Sequence, residues 1–481
     1  MYKNNEFDRE YLRQIVHILI GLVILIFPFV DVRNLMGFFV IILLFVASRS
    51  SKTPLIGYLF RKYGDMRRPE GAINLSISIL ILLSIHHILA RFTEYELPLY
   101  IIGSAIAIST FGDGAASMMR TYQEQLGQKR GYDKSGKEHN NHNKYARRAS
   151  VNISLTLLIV GTVFAFLAGS WVVRFGNTVS ESQIPGYQII FVISAIGAVC
   201  GALLETISID IHDNMTMPLG SAMIMWLFAN IEYTYSITPQ YIAIAIVFAF
   251  ILGFLAYRVG VSDISGILSA TLVGALIIAF TSIWWFILLL AFYALGGLFT
   301  KYKYAYKKAR GVAEKRGGAR GYRNVFSNSV VALALAVAYP MFNADNLIIF
   351  AYLGAVATAA GDTLASEIGI TSTSQPYMIT TLKRIETGVD GGITVLGESA
   401  ALLGASVIGI LAVLSGIIDP ATNINIYWGF LIVAISGFAG TNIDSYLGAT
   451  LQRQGLLTNN GVNFVSTMAG AAVAGALYLL L

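Results

Sequence analysis

Six acidic side chains sit where acids are costly. Asp113, Glu205, Asp362, Glu367, Glu398 and Asp444 lie within or at the ends of long apolar runs. An acid at the middle of a membrane-spanning helix costs roughly 2.5–3.5 kcal/mol on insertion scales, so such residues are functional by default. Any one of them could instead snorkel at a helix end or cap a neighbour. That reading weakens for the group, because glycines and basic loops accompany the acids. Hard oxygen ligands beside a basic patch are what Mg²⁺ on a nucleoside triphosphate needs. GVDGGITVLGE (388–398) is a glycine-rich turn entering a helix, where backbone N–H groups can cradle phosphate. A tight loop punctuated by glycine would look the same. GARGYRNVFSN (318–328) sets Arg320 and Arg323 just before an apolar run, and NKYARRAS (143–150) does so with Lys144, Arg147 and Arg148. Basic residues at span ends also follow from membrane orientation alone.

Other motifs carry less. GYDKSGKE (131–138) nearly matches a P-loop, but it ends in Glu and no strand precedes it. A P-loop needs a hydroxyl for Mg²⁺ and a strand–helix frame. His17 falls four residues after Arg13, on one helical face, and reads equally as an interfacial histidine or a phosphate contact. His86 and His87 read as packing, and His139 and His142 as solvated loop. The single cysteine, Cys200, excludes a disulfide framework, a Cys-ligated zinc site and an iron–sulfur cluster.

The elements that position these residues are membrane helices. Hydrophobic residues make up 56% of the 481 and charged residues 12%, about half the charge of a soluble domain. A span needs about 20 mostly apolar residues. The expected fold is an all-α polytopic membrane protein with about 15 transmembrane helices in two modules. The spans fall near 11–30, 34–48, 72–90, 97–119, 150–173, 187–206, 217–235, 239–257, 262–281, 283–300, 326–340, 347–366, 392–416, 425–443 and 464–481. Several are short or glycine-rich, which points to broken or re-entrant helices. With this count, 30 of 33 basic residues fall on alternate sides of the membrane, and only Arg33, Arg91 and Arg174 fall opposite. The positive-inside rule then places the N-terminus and the large polar loops in the cytoplasm. The net charge of +6 is accounted for by this asymmetry. No nucleic-acid-binding motif accompanies it, so no nucleic-acid partner is expected. The polar, mixed-charge start MYKNNEFDRE argues against a cleaved targeting segment, and a prokaryotic plasma membrane is the expected location.

The chain also repeats a theme. FGDGAAS (111–117) and AAGDTLAS (359–366) each close a span, and aligned on Gly112 and Gly361 they share Gly, Asp, Ala and Ser. Each half has a long basic loop and a later acidic motif, LLETISIDIHDN (203–214) and GTNIDSYLGATLQR (440–453). Two related or analogous modules are expected.

These motifs resemble two families. Residues 1–235 are similar to the CTP-dependent polyprenol kinases, the phytol and dolichol kinase group, through RQIVHILIG (13–21), FGDGAA (111–116), NKYARRAS (143–150) and ETISIDIHDNMTMP (205–218). This half departs from that group's pattern in the loop after Asp113. Residues 240–481 resemble the phytyl-phosphate kinase family over nearly their full length, through VSDISG (261–266), GARGYRNVFSN (318–328), ATAAGDTLASEIG (357–369), TLKRIETGVDGGITVLGE (381–398) and DSYLGATLQRQGLLTNNGVNF (444–464).

The resemblance implies a bifunctional membrane kinase. The first half would phosphorylate a prenyl alcohol of the geranylgeraniol or phytol type to its monophosphate, and the second would make the diphosphate. CTP–Mg²⁺ would be the donor, and the lipid intermediate would stay in the bilayer with both sites facing the cytoplasm. In the first site Asp113, Glu205 and Asp213 would bind Mg²⁺ or orient the hydroxyl, with Lys144, Arg147 and Arg148 on the nucleotide phosphates. In the second, Asp362, Glu367 and Asp444 would bind metal. Arg320, Asn324, Lys383 and Arg384 would hold phosphate, and Gly391 and Gly392 would offer backbone donors. Two rivals stand beside this reading: a cytidylyltransferase that forms a CDP-lipid, and a secondary transporter, for which repeated halves and broken spans are also expected.

Overall fold

The computed structural model describes residues 2–49, 61–63, 66–68, 70–93, 96–129, 139–176, 185–207, 213–235, 238–313, 318–419 and 424–481. Each of the fifteen apolar segments read from the sequence is helical. Among the described residues, eleven helices are long and apolar enough to cross a membrane, and three shorter apolar helices cover 14–29, 32–45 and 264–280. The chain is an integral membrane protein built almost wholly from helices. Two small antiparallel hairpins are the exceptions, pairing Arg61–Tyr63 (β1) with Met66–Arg68 (β2) and Tyr377–Met378 (β3) with Gly392–Ile393 (β4). The structure divides into two compact units, Met1–Ala243 and Ile244–Leu481.

Unit 1 runs through α1 (Tyr2–Gly21), a 3₁₀ stretch at Leu22–Phe29, α2 (Val32–Arg49), α3 (Glu70–Phe92) and α4 (Leu99–Ala107). A π-helical turn at Ile108–Gly112 leads into α5 (Asp113–Lys129). Then come α6 (His139–Phe175), α7 (Tyr187–Thr206) and α8 (Asp213–Tyr235). Every residue of α4 is buried. Its polar group Ser104 is satisfied by donating to the Ala165 carbonyl of α6, at 2.8 Å, as a buried hydroxyl must be in an apolar setting. The helix irregularities of this unit are the 3₁₀ stretch, which contains Pro28, and the π turn before Asp113.

Unit 2 begins within α9 (Pro239–Arg258) and continues with α10 (Ile264–Phe280), α11 (Ile283–Lys301), the short α12 (Tyr304–Ala309), α13 (Tyr322–Met341), α14 (Asn346–Gly369), α15 (Val395–Leu414), α16 (Ile426–Leu447) and α17 (Asn459–Leu480). A second π turn, Gly448–Gln452, extends α16. Helix α14 is the central element, packed by α11, α13, α15, α16 and α17. Its sequence explains this. A face of small residues lets backbones approach, which is how helices associate where lipid removes the hydrophobic drive. A Cβ at Gly361 would lie 2.7 Å from Thr441 Oγ1 and 3.0 Å from the Ala401 carbonyl. Larger side chains fill the far end, where Phe350, Tyr352 and Leu353 are fully buried and the Tyr352 hydroxyl donates to the Trp285 carbonyl at 2.6 Å.

Candidate functional site

The central helix carries Asp362 one residue beyond the close packing at Gly361. Seven residues separate Asp362 from the end of α14, about 10 Å of helix. Antiparallel neighbours bring the starts of α13, α15 and α17 to this level, and the parallel α16 brings its end. There they enclose a cavity of about 300 Å³. Its walls include Arg320, Asn324, Asp362, Asp390, Glu398 and Asp444. Asp362 and Asp444 meet side chain to side chain, within hydrogen-bonding reach, and Arg320 acts electrostatically on Asp362. Ser466 of α17 donates to Asp444 Oδ2 at 2.9 Å, and Asn442 donates to Glu398 Oε2 at 3.0 Å. These bonds fix carboxylate orientation without neutralising the charge.

Arg320 is placed by its backbone. Its N–H donates to the Val261 carbonyl at 2.8 Å, and its carbonyl accepts from Asp263 N–H at 3.0 Å. The VSDISG segment thus holds it in a short parallel bridge. Its guanidinium crosses the Gly296 backbone between the rings of Phe292 and Tyr293, 5.5 and 5.9 Å from their centroids. Such contacts suit a guanidinium held away from water. Asn324 also lines the cavity, and its buried Oδ1 has no hydrogen-bond partner among the described residues. A buried polar atom left this way in a polar cavity marks a place for a ligand atom or ion.

The glycine-rich turn forms another wall. Gly391 has φ of +80°, a conformation that favours glycine, and a Cβ there would collide with Ala449 in the π turn. The turn is therefore pinned against the end of α16, close to Asp444. Gly392 lines the cavity too, but its N–H is committed to the Val389 carbonyl at 3.2 Å and is not a phosphate donor.

Three further expectations are corrected. Glu367 lines the cavity, yet both of its oxygens are engaged: Oε1 accepts from Thr300 Oγ1 at 2.7 Å, and Oε2 pairs with Lys307 Nζ at 2.5 Å. Lys307, only 1% exposed, also donates to the Phe299 carbonyl at 2.9 Å. Glu367 is an internal ion-pair partner that ties α12 to α14, not an open metal ligand. Lys383 and Arg384 are exposed on the β3–β4 hairpin and do not line the cavity. Arg384 stays with Tyr377, whose hydroxyl at 3.4 Å holds the guanidinium pKa above its ordinary value.

In unit 1, Asp113 opens α5 directly after the π turn, and His17 of α1 lies beside it, Nε2 to Oδ2 3.9 Å. Nε2 is also 2.9 Å from the Ser109 carbonyl. A carbonyl only accepts, so Nε2 is the donor in that contact. Glu205, buried at the end of α7, is paired with Arg120 and so is not an open ligand. Asp213 begins α8, where its charge suits the helix N-terminus. Lys144, Arg147 and Arg148 fall on α6, but their side chains lie outside the described residues, as does segment 131–138. Among the described residues no group of three or more His, Cys, Asp or Glu side chains is arranged to hold a metal ion.

Sequence reasoning missed the neutral part of the cavity wall. Asn463 Nδ2 donates to Asn328 Oδ1 at 3.4 Å, and Gln452 and Asn459 complete that side. The available signal was spacing: Asn324 with Asn328, and Asn459 with Asn463, are i, i+4 pairs that share one helical face.

The family match falls on the half of the chain that holds this cavity. A family model described as Integral membrane protein DUF92 matches residues 247–471. An uncharacterized membrane protein of Methanocaldococcus jannaschii is 32% identical over 222 residues, covering 46% of this chain and 87% of that protein. Protein PGR of Arabidopsis thaliana is 30% identical over 273 residues, 48% of this chain and 94% of its own length. Protein VTE6, chloroplastic, also of Arabidopsis thaliana, is 31% identical over 232 residues, 47% of this chain and 67% of its own. No solved structure matches the chain. With relatives at this identity matched over most of their length, the chain belongs to the Integral membrane protein DUF92 family.

Proposed function

We propose that unit 2 phosphorylates a prenyl monophosphate to the diphosphate, using a nucleoside triphosphate, CTP, at the cavity between α13, α14, α15, α16 and α17. The observation that carries this is the facing pair Asp362 and Asp444, with Arg320 beside it and the buried Asn324 oxygen on the same cavity. An anionic oxygen of the lipid monophosphate attacks the terminal phosphorus. The bond from that phosphorus to the β,γ-bridging oxygen breaks, and the nucleoside diphosphate leaves. The acceptor oxygen is already deprotonated, so the site needs position and charge neutralisation rather than a base. Arg320 serves both needs. Mg²⁺ is commonly held by one or two carboxylates plus phosphate oxygens. Asp362 and Asp444 fit that requirement, and the ion supplies neutralisation of phosphate charge when bound.

Unit 1 takes the companion step on the prenyl alcohol, a reading supported by different chemistry at Asp113. A hydroxyl acceptor must lose a proton as the new P–O bond forms. In this reading the His17 ring, whose Nε2 lies beside Asp113 and donates to the Ser109 carbonyl, receives it at Nδ1 when that nitrogen is unprotonated. Both sites open to the cytoplasm in this reading, a placement that the distribution of basic residues supports.

The test incubates the purified full chain in detergent with geranylgeraniol, or with its monophosphate, plus CTP or ATP and Mg²⁺, and resolves the products. Diphosphate with released CDP is expected, and Asp362→Asn should stop only the second step, so that monophosphate accumulates. Released pyrophosphate would identify a cytidylyltransferase, and the absence of any nucleotide-dependent product would overturn the kinase reading.

A further inference from the structure

A second polar cavity, of about 280 Å³, adjoins the first. The two share Ser374 and Thr387 in their linings, so they lie side by side. Together they reach the size range of sites that hold a drug-sized ligand, about 300–1,000 Å³. Their linings differ in kind. The first holds Arg320 and the carboxylates. The second is bounded by Arg310, Val312, Ser372, Gln375 and the two shared hydroxyl residues, with no carboxylate among the described residues.

We propose that this second recess is the nucleoside subsite of the phosphoryl donor, an inference that rests on the phosphoryl-transfer reading of the first. Its lining suits a neutral heterocycle carried on a polar sugar. The Arg310 guanidinium lies over the Tyr306 ring, 4.5 Å from the centroid. A guanidinium flattened in this way offers a planar surface on which a base can stack. Gln375 carries both a donor and an acceptor, which is what the edge of a base requires. Ser372 and Ser374 are already oriented by their mutual contact at 2.8 Å and by Ser374 N–H donating to Ser372 Oγ at 3.2 Å. Such hydroxyls meet a sugar well.

The alternatives fit less well. A prenyl chain needs an apolar wall, and among the described residues Val312 is the one aliphatic side chain in this lining. A second phosphate would find a single cation there among the described residues. The recess is also held in place: Val312 Cγ1 lies 2.8 Å from where a Cβ on Gly388 would stand, and Gly388 has φ of +91°. The segment bearing Arg310 and Val312 is thereby docked on the same glycine-rich turn that walls the first cavity. One turn serves both the phosphates and the nucleoside.

The experiment compares binding of CTP, ATP and inorganic tripolyphosphate to the purified full chain in detergent with Mg²⁺. In the wild type, nucleotide should bind more tightly than tripolyphosphate. Arg310→Ala and Gln375→Leu should each weaken nucleotide binding by about tenfold, the scale of one lost hydrogen-bonding or stacking partner. Tripolyphosphate binding should stay at the wild-type value, which also shows that each variant is folded. A nucleotide-to-tripolyphosphate ratio unchanged in both variants would overturn the subsite. So would equal loss of both ligands in both variants. A wild-type protein that binds neither ligand would instead overturn the phosphoryl-transfer reading beneath it.

Discussion

Replacing Lys307 by Met tests how the cavity floor is held. Lys307 and Glu367 are buried together, with the ammonium 2.5 Å from Glu367 Oε2 and 2.9 Å from the Phe299 carbonyl. Removing the ammonium leaves a carboxylate with no counter-charge in a low-dielectric setting, which costs about 3–5 kcal/mol. The Thr300 bond to Oε1 survives and recovers little of that. Removing both charges behaves differently, since a buried ion pair replaced by apolar groups of similar volume is often neutral or stabilising. Lys307→Met combined with Glu367→Met should therefore be far closer to wild type than Lys307→Met alone. Reversible denaturant unfolding of the detergent-solubilised chain measures both. A single variant that costs under about 1 kcal/mol, or a double variant no better than the single, would refute the buried-pair argument. The metal-ligand role expected for Glu367 makes a distinct forecast: Lys307→Met would then free the carboxylate and tighten divalent-cation binding. The geometry predicts no such gain.

Gly296→Ala should lower second-step activity more than tenfold, because the new methyl occupies the path of the Arg320 guanidinium; overpacking of this kind costs about 1–3 kcal/mol, and kinetics on the monophosphate reads the displacement as a raised KM. Asp263→Ala should destabilise unit 2 by about 1 kcal/mol, because Asp263 Oδ1 caps α10 through Gly266 N–H at 2.9 Å and Ser265 Oγ at 2.7 Å; Asp263→Asn should keep most of that stability in the same denaturant assay. His17→Ala should slow alcohol phosphorylation by about 10²–10⁴-fold, the ordinary worth of a general base. Fed with monophosphate, the same variant should turn over at the wild-type rate.

The helices were legible in the sequence because lipid leaves the backbone no other way to satisfy its hydrogen bonds. Length and hydropathy alone then mark spans. Asp362 and Asp444 were legible for a related reason, because an acid in a long apolar run stands out against its insertion cost; Arg320 and Asn324 were singled out as phosphate contacts only through the resemblance carried by GARGYRNVFSN. The pairing state of such residues was not legible. Glu367 and Asp362 look alike in sequence, five residues apart on one helix and both on the cavity wall, yet a lysine 60 residues away engages Glu367 alone. Lys383 and Arg384 failed for the opposite reason. They belong to a motif whose turn residues reach the cavity, but the β3–β4 hairpin turns those two outward. Nothing in composition distinguishes the inward from the outward arm of a hairpin. Segment 143–150 bore three expected phosphate contacts on side chains that lie outside the described residues.

The shared Gly-Asp of the two units sharpens the meaning of a repeated motif. In unit 2 the pair sits inside a regular helix, with glycine at a helix crossing and the aspartate turned toward a second carboxylate. In unit 1 the glycine ends a π turn and the aspartate begins a new helix beside an imidazole. The π turn accounts for part of this difference. One residue inserted into a turn rotates the downstream helix by about 100° relative to the upstream one, and such insertions recur at functional sites. A common dipeptide is thus delivered to different partners by a local change in helix geometry. The partners differ as the acceptors of the two proposed steps differ. A phosphate oxygen arrives ionised and needs its charge offset, whereas an alcohol arrives protonated and needs a place for the proton. An arginine, with two carboxylates placed to hold Mg²⁺, would answer the first need, and an aspartate with a histidine would answer the second. Under the proposed function the chemistry is carried by the groups each aspartate meets, and motif identity alone would assign both units the same step.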